Sequence, residues 1–150
     1  MRAITLNDFG NVDNFEIIEI PPPEPAENEL LIEVKAIGIN PADVLAREAK
    51  IIFSRYERRS PLLLGWDVSG VVVKVGRNVQ QFREGDQVFG MINFPGYGAG
   101  YAEFVCVPWN QFALKPGNIS HEEAAGAGMA ALAAFQGLFI NAKQIGRAHV

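Results

Sequence analysis

Asn40 and Asp43, in the run Asn40-Pro41-Ala42-Asp43, place an amide and an acid at the start of a short helix, two groups that can form directed hydrogen bonds. Pro41 suits the first turn of a short helix, which puts Asn40 just before it and Asp43 inside its first turn. An amide at such a place can cap the helix, or it can hydrogen bond to a group in a cleft. Asp43 can brace the local backbone as a first-turn acid, or pair with Arg47 at the favourable i, i+4 spacing. Both readings of Asn40 stand, and they are compatible.

No other constellation competes with that one. Cys106 is the single cysteine, so an internal disulfide and a cysteine zinc cage are both excluded. It falls within the strand-like run 101–107 and reads as a small buried hydrophobe. His121 sits at a helix start and His149 near the C-terminal end. Neither joins a Ser/His/Asp set, and no carboxylates are paired for acid–base work. The glycines Gly96, Gly98 and Gly100 fall short of a dinucleotide fingerprint, because the third comes one residue early and a strand follows. Tyr97 and Tyr101 are candidate hydroxyl donors from this loop; the strand pattern assigns Tyr101 to packing.

The elements that must position these groups are short strands punctuated by turns. Residues 2–6 and 15–19 read as two strands joined by the turn cluster Asp8-Phe9-Gly10-Asn11. Residues 21–25, rich in proline, read as a stiff extended connector. Residues 29–39 alternate, with Leu30, Ile32, Val34 and Ala36 on one face, as in a half-buried strand. The mixed charged stretch 42–59 reads as a solvated loop face. Residues 68–76 and 87–91 are two further strands separated by the turn Gly85-Asp86. Such β-branched runs bounded by Gly, Asn and Asp predict a small antiparallel barrel. Ser120 and Glu123 form a capping box that opens a helix over residues 121–140. Its Gly126, Gly128 and Gly137 predict close approach to another element or to a ligand.

Composition bounds the rest. A chain of 150 residues is one domain of ordinary size, and 49% hydrophobic with 20% charged residues fits a globular fold. A net charge of -4 gives no electrostatic footprint for nucleic acid. The chain starts directly as a strand, with no signal-peptide pattern. No apolar run approaches the ~20 residues of a membrane span; residues 124–140 come nearest but carry Gln136. A cytoplasmic location without membrane partners is expected.

The order of these pieces resembles the GroES-like amino-terminal domain of the medium-chain dehydrogenase/reductases, and within them the zinc-independent quinone oxidoreductase-like branch, over residues 1–143. The resemblance implies a mainly β fold with α: a partly open barrel with short helices and a linker helix. Zinc-dependent members place a Cys and a Gly-His-Glu where this chain has Asn40 and Gly65-Trp66-Asp67. An amide is a poor zinc ligand and an indole is none, so no zinc is expected. The branch carries Asn-Pro-x-Asp at the same helix start. By that likeness Asn40 lines the nicotinamide or substrate side of a cleft, its amide donating to a carbonyl oxygen. Asp43, Trp66, Asp67, Met129 and Ala133 fall at the same cofactor or substrate cleft. Gly128 stands where a proline is usual and Ala133 where a threonine is usual, so no hydroxyl contact carries over to Ala133.

The function implied is that of an NAD(P)H-dependent reductase, with NADPH or alternatively NADH giving hydride to a quinone or α,β-unsaturated carbonyl. No catalytic residue is named by the likeness. Residues 1–119 are expected to form the substrate-side barrel, and residues 120–143 a linker helix toward a nucleotide-binding Rossmann domain that this sequence lacks. Residues 144–150 fit neither and read as a non-native tail. On this view the chain is a fragment, inactive alone, of a parent expected to be a homodimer. The alternative is a stand-alone GroES-like binding or assembly module without catalysis.

Overall fold

The computed structural model describes residues 1–48 and 60–142. The expected tail, residues 144–150, and the later part of the charged loop, residues 49–59, lie outside the described residues.

Among the described residues, seven strands form two antiparallel sheets. β1 (Arg2–Leu6) and β2 (Phe15–Glu19) pair as a small two-stranded sheet. The main sheet holds β3 (Glu29–Gly38), β4 (Asp67–Val75), β5 (Gln87–Met91), β6 (Phe104–Pro108) and β7 (Phe112–Leu114), in the order β6-β3-β4-β5-β7. Isolated bridges Ala3↔Ala102 and Thr5↔Leu63 fasten β1 to the segments that precede β6 and β4. Among the described residues no barrel closes: the architecture is the partly open β structure that the family resemblance implied, looser than the small barrel read from the strand pattern.

The main core lies on one face of the large sheet. Leu30, Ile32, Val68, Val72, Val88 and Val107 are buried there. Each such side chain contributes about 1.5–3 kcal/mol of transfer free energy. A second cluster, of Leu6, Ala46, Leu64, Trp66 and Tyr101, lies under helix α1 (Pro41–Glu48). The short helix expected from Pro41 runs to Glu48, into the stretch that the charge pattern read as a loop face.

The alternation expected along β3 is only half kept. Leu30 and Ile32 are fully buried, but Val34 and Ala36 are intermediate, and Ile37 packs against both clusters. The pairing with β4 shifts register between Leu31 and Ile32 and again between Val34 and Ala36. Such a bulge turns the following side chains to the other face.

The helix after Ser120 is α2, His121–Phe135. The capping box is present, with the Glu123 N–H donating to Ser120 Oγ at 3.1 Å and the Ser120 N–H to Glu123 Oε2 at 2.8 Å. His121 Nδ1 lies 2.8 Å from Ser69 Oγ, whose hydroxyl donates to the Val88 carbonyl at 3.1 Å. Ser69 therefore accepts from an Nδ1–H, and burial holds the His121 imidazole below its ordinary pKa. Beyond Phe135 the chain continues as a π-helical turn, Gln136–Asn141.

The whole helical run, His121–Asn141, is 21 residues and by length and composition alone could cross a membrane. That corrects the expectation that no segment approaches such a length. Its first half is nevertheless committed to the sheet, through buried Ala124, Ala125 and Gly128. Its second half exposes Leu132, Phe135, Leu138, Phe139 and Ile140.

Candidate functional site

The start of α1 and the middle of α2 meet over Asp67, the first residue of β4. Asp43 is the third residue of α1 and only 4% exposed. Its Oδ2 accepts the Asn40 backbone N–H at 2.8 Å, and the Asp43 N–H donates to the Asn40 carbonyl at 2.9 Å. These two bonds close the first turn around Pro41. Asp43 Oδ1 accepts the Tyr101 hydroxyl at 3.1 Å. Burial raises the Asp43 carboxyl above its ordinary value; the Asn40 and Tyr101 bonds pull it back in part, and neighbouring Asp67 pushes it up. Tyr101 is raised too, by burial and by the carboxylate it faces.

Arg47 is not the partner expected for Asp43. Its guanidinium donates to the Gly10 carbonyl and pairs with Glu48 at 2.6 Å. A buried phenol has already met the Asp43 carboxyl from the far side, and sequence spacing could not reveal it.

Asn40 does not spend its side chain on the helix. Its Nδ2 donates to Asp67 Oδ2 at 3.0 Å. The Met129 backbone N–H, from the middle of α2, donates to the same oxygen at 2.8 Å. Asp67 is 1% exposed, and its other oxygen, Oδ1, has no partner among the described residues. Burial raises the Asp67 carboxyl, while the Met129 and Asn40 bonds oppose the rise. Asn40 is thus held twice, its backbone by Asp43 and its amide by Asp67.

Two glycines make the approach of α2 feasible. A Cβ on Gly128 would stand 2.6 Å from Asp67 Oδ1, and one on Gly38 would stand 2.4 Å from the Ala125 carbonyl oxygen. The close approach expected of the glycine-rich helix is real at Gly128. At Gly126 and Gly137 nothing lies within 4 Å.

Of the residues expected at the cleft, Asn40, Asp43, Asp67 and the backbone of Met129 come together. Trp66 is 1% exposed and offers no surface; its indole N–H donates to the Gly96 carbonyl at 2.6 Å, and its ring stands edge-on to Phe94. It anchors the glycine- and aromatic-rich loop. Ala133 is exposed on α2, outside the hydrogen-bonded group. Tyr101 precedes β6, which begins at Phe104 rather than at Tyr101 as the run suggested. Its carbonyl accepts from Ile4 and its N–H donates to Leu64, so its backbone serves other elements. Tyr97 lines a cavity of ≈ 580 Å³ whose walls include none of Asn40, Asp43, Asp67 or Met129. Cys106 is half-buried in β6, its thiol pushed up to about 12 by burial and by Glu29 and Glu24.

An apolar groove of ≈ 520 Å³ runs from Gly128 along α2, between Met91, Phe112, Leu132 and Phe135. Beside Asn40, Ile39, Val44 and Leu45 are exposed. Among the described residues no three His, Cys, Asp or Glu side chains converge in a way that would hold an ion. The arrangement offers one oriented amide over two buried carboxyl groups, with apolar surface on either side.

Residues 26–117, more than half of the chain, match the family described as the alcohol dehydrogenase GroES-like domain. The chain is 36% identical to the 2-methylene-furan-3-one reductase of Solanum lycopersicum over 144 residues, which cover 92% of this chain and 37% of that protein. It is 37% identical to the chloroplastic NADPH-dependent alkenal/one oxidoreductase of Arabidopsis thaliana, over the same shares. The quinone oxidoreductase structure from Coxiella burnetii superposes with a TM-score of 0.89 at 32% identity, covering 95% of this chain and 45% of that one. The chain spans less than half the length of the relatives named here, 37% of the two reductases and 45% of the quinone oxidoreductase. It belongs to the alcohol dehydrogenase GroES-like family, as a quinone oxidoreductase-like amino-terminal domain of the medium-chain dehydrogenase/reductases.

Proposed function

We propose that this chain is the substrate-side domain of an NADPH-dependent reductase that acts on quinones or α,β-unsaturated carbonyls without zinc. The observation that carries the proposal is Asn40, half-exposed, with its amide fixed by Asp67 and its Oδ1 unpartnered among the described residues. A nicotinamide carboxamide carries both N–H donors and a carbonyl, so an immobilised amide bordered by apolar residues fits it. When bound, a reduced nicotinamide supplies the hydride, which is the hard part of the chemistry.

The work left to this chain is binding and orientation. Asp43 and Asp67 hold Asn40 in one rotamer, so little freedom is lost when a ligand meets it. Ile39, Val44 and Leu45 offer apolar surface that excludes water from a flat conjugated acceptor. Neither Asn40 nor Trp66, which stand where zinc-dependent relatives place ligands, can donate a thiolate or an imidazole. The alkenal/one and furanone reductase relatives support the substrate class.

The test begins with the source transcript read past Asn141. A frame that runs on into a strand and a glycine-rich dinucleotide turn is expected. The protein so encoded should oxidise NADPH with a benzoquinone or an enone after dialysis against a zinc chelator. A stop shortly after residue 150, or activity that a chelator abolishes and zinc restores, would overturn the proposal.

A further inference from the structure

We propose that Asp67 is a positioning residue that fixes the Asn40 amide with its carbonyl oxygen outward, so that Asn40 presents an acceptor to a hydrogen-bond donor of the ligand. This deepens the reading of Asn40 as a cleft residue and rests on it, and it reverses the donor role expected of Asn40 from the sequence.

The polarity is set by a group that cannot flip. The Met129 backbone N–H lies 2.8 Å from Asp67 Oδ2 and can only donate. Oδ2 is therefore an acceptor. Were Asp67 to carry a proton, that proton would sit on Oδ1, the oxygen without a partner among the described residues. In both protonation states the Asn40 group 3.0 Å from Oδ2 must be the NH2 end. A flipped amide would set two acceptor oxygens against each other beside a residue 1% exposed.

Side-chain amides are ordinarily free to exchange ends, and only their network decides which end faces where. Here the decision passes from the α2 backbone through Asp67 to Asn40. The oxygen end is left facing away from the carboxyl group. The chemistry it recognises is an N–H or O–H, such as the carboxamide N–H of a nicotinamide. Gly128 belongs to the same device, since a Cβ there would press on Asp67 Oδ1 at 2.6 Å.

The experiment follows the Asn40 side-chain amide by NMR in the 15N-labelled chain, for wild type, Asp67→Asn and Asp67→Leu. Asp67→Asn can keep an acceptor oxygen under both donors; Asp67→Leu cannot. The expected result is a protected Asn40 amide in wild type and in Asp67→Asn, exchanging about ten-fold faster in Asp67→Leu, the exchange equivalent of one hydrogen bond. If Asp67→Leu fails to fold, Gly128→Ala displaces the carboxyl group more gently and should release Asn40 in the same direction. An Asn40 amide that exchanges alike in every variant overturns the proposal.

The donor preference is read by adding nicotinamide or N,N-diethylnicotinamide, which has no amide N–H. Nicotinamide alone should shift the Asn40 resonances in wild type. Equal shifts from both compounds, or none from nicotinamide, overturn donor selection. Exchange of the Asn40 amide is independent of turnover. A protein that reduces quinones with a freely rotating Asn40 sinks this proposal and leaves the reductase standing. A fixed Asn40 in a protein without reductase activity does the reverse.

Discussion

Tyr101 reaches across the second core cluster to donate its hydroxyl to Asp43, 58 positions earlier in the chain, at 3.1 Å. The bond ties the start of α1 to the segment that enters β6, and both residues are buried. Gly65, with φ of +92°, lets the tyrosine ring lie against the backbone there; a Cβ would stand 2.4 Å from the ring.

Removing the hydroxyl leaves a carboxyl oxygen buried with one partner fewer. Tyr101→Phe is expected to destabilise the chain by about 1–3 kcal/mol, the cost of an orphaned buried polar group. Asp43→Asn made on top of Tyr101→Phe should cost less than Asp43→Asn made in wild type, because the bond is already gone. Urea denaturation of the four proteins gives both numbers. Strictly additive losses would mean that the phenol and carboxyl do not interact in solution.

Asp67 carries a pH signature with a definite sign. Burial raises its pKa above the ordinary 3.8, so the folded state holds the proton more tightly than the unfolded chain. Its contribution to stability is full below 3.8 and is lost as pH rises through the raised value. Asp67→Asn has no proton to lose there. The melting temperature of wild type minus that of Asp67→Asn should therefore fall as pH rises from acid to neutral. Glu103 and Glu122, whose pKa values are lowered, act oppositely but are present in both proteins and cancel. A difference that is flat or rising with pH would contradict the burial of Asp67.

Much of this arrangement was legible in the sequence, and the rest was hidden for identifiable reasons. β1, β2 and β5 fall where alternation and turn residues placed them, because their pairing is local or their turns are marked by glycine. The capping box was legible because Ser120 and Glu123 are its own partners. The bulges in β3 were not, since they arise from register against β4, far along the chain. Short β7, three residues long, left no periodic signal. Asn40 and Asp67 could be named from the likeness of their motifs. Their bond, and the Met129 N–H that polarises it, could not, because a backbone donor leaves no trace in residue type.

The two glycines of α2 should respond oppositely to the same change. Gly126→Ala puts a methyl group into open space and is expected to stabilise the helix by about 0.5–1 kcal/mol. Gly128→Ala drives a Cβ to 2.6 Å from Asp67 Oδ1, on a carboxyl group pinned through Oδ2 by two hydrogen bonds, and should cost about 1–3 kcal/mol. Thermal or urea melts decide it. If both variants gain stability, α2 does not sit against Asp67 as closely as described.

The far half of the helical run separates packing from exposure. Leu138 and Ile140 are 49% and 59% exposed and belong to the π-helical turn, whereas Ala124 and Ala125 upstream are buried. Leu138→Gln with Ile140→Lys removes apolar surface that covers nothing among the described residues. The folding free energy should change by no more than about 0.5 kcal/mol, as for other exposed sites. Self-association at high protein concentration should fall, because a contiguous apolar stripe is what drives it. Light scattering reads the second effect and urea melts the first. A loss of several kcal/mol would show that this stripe is already covered in solution, and that α2 holds the chain together beyond Gly128.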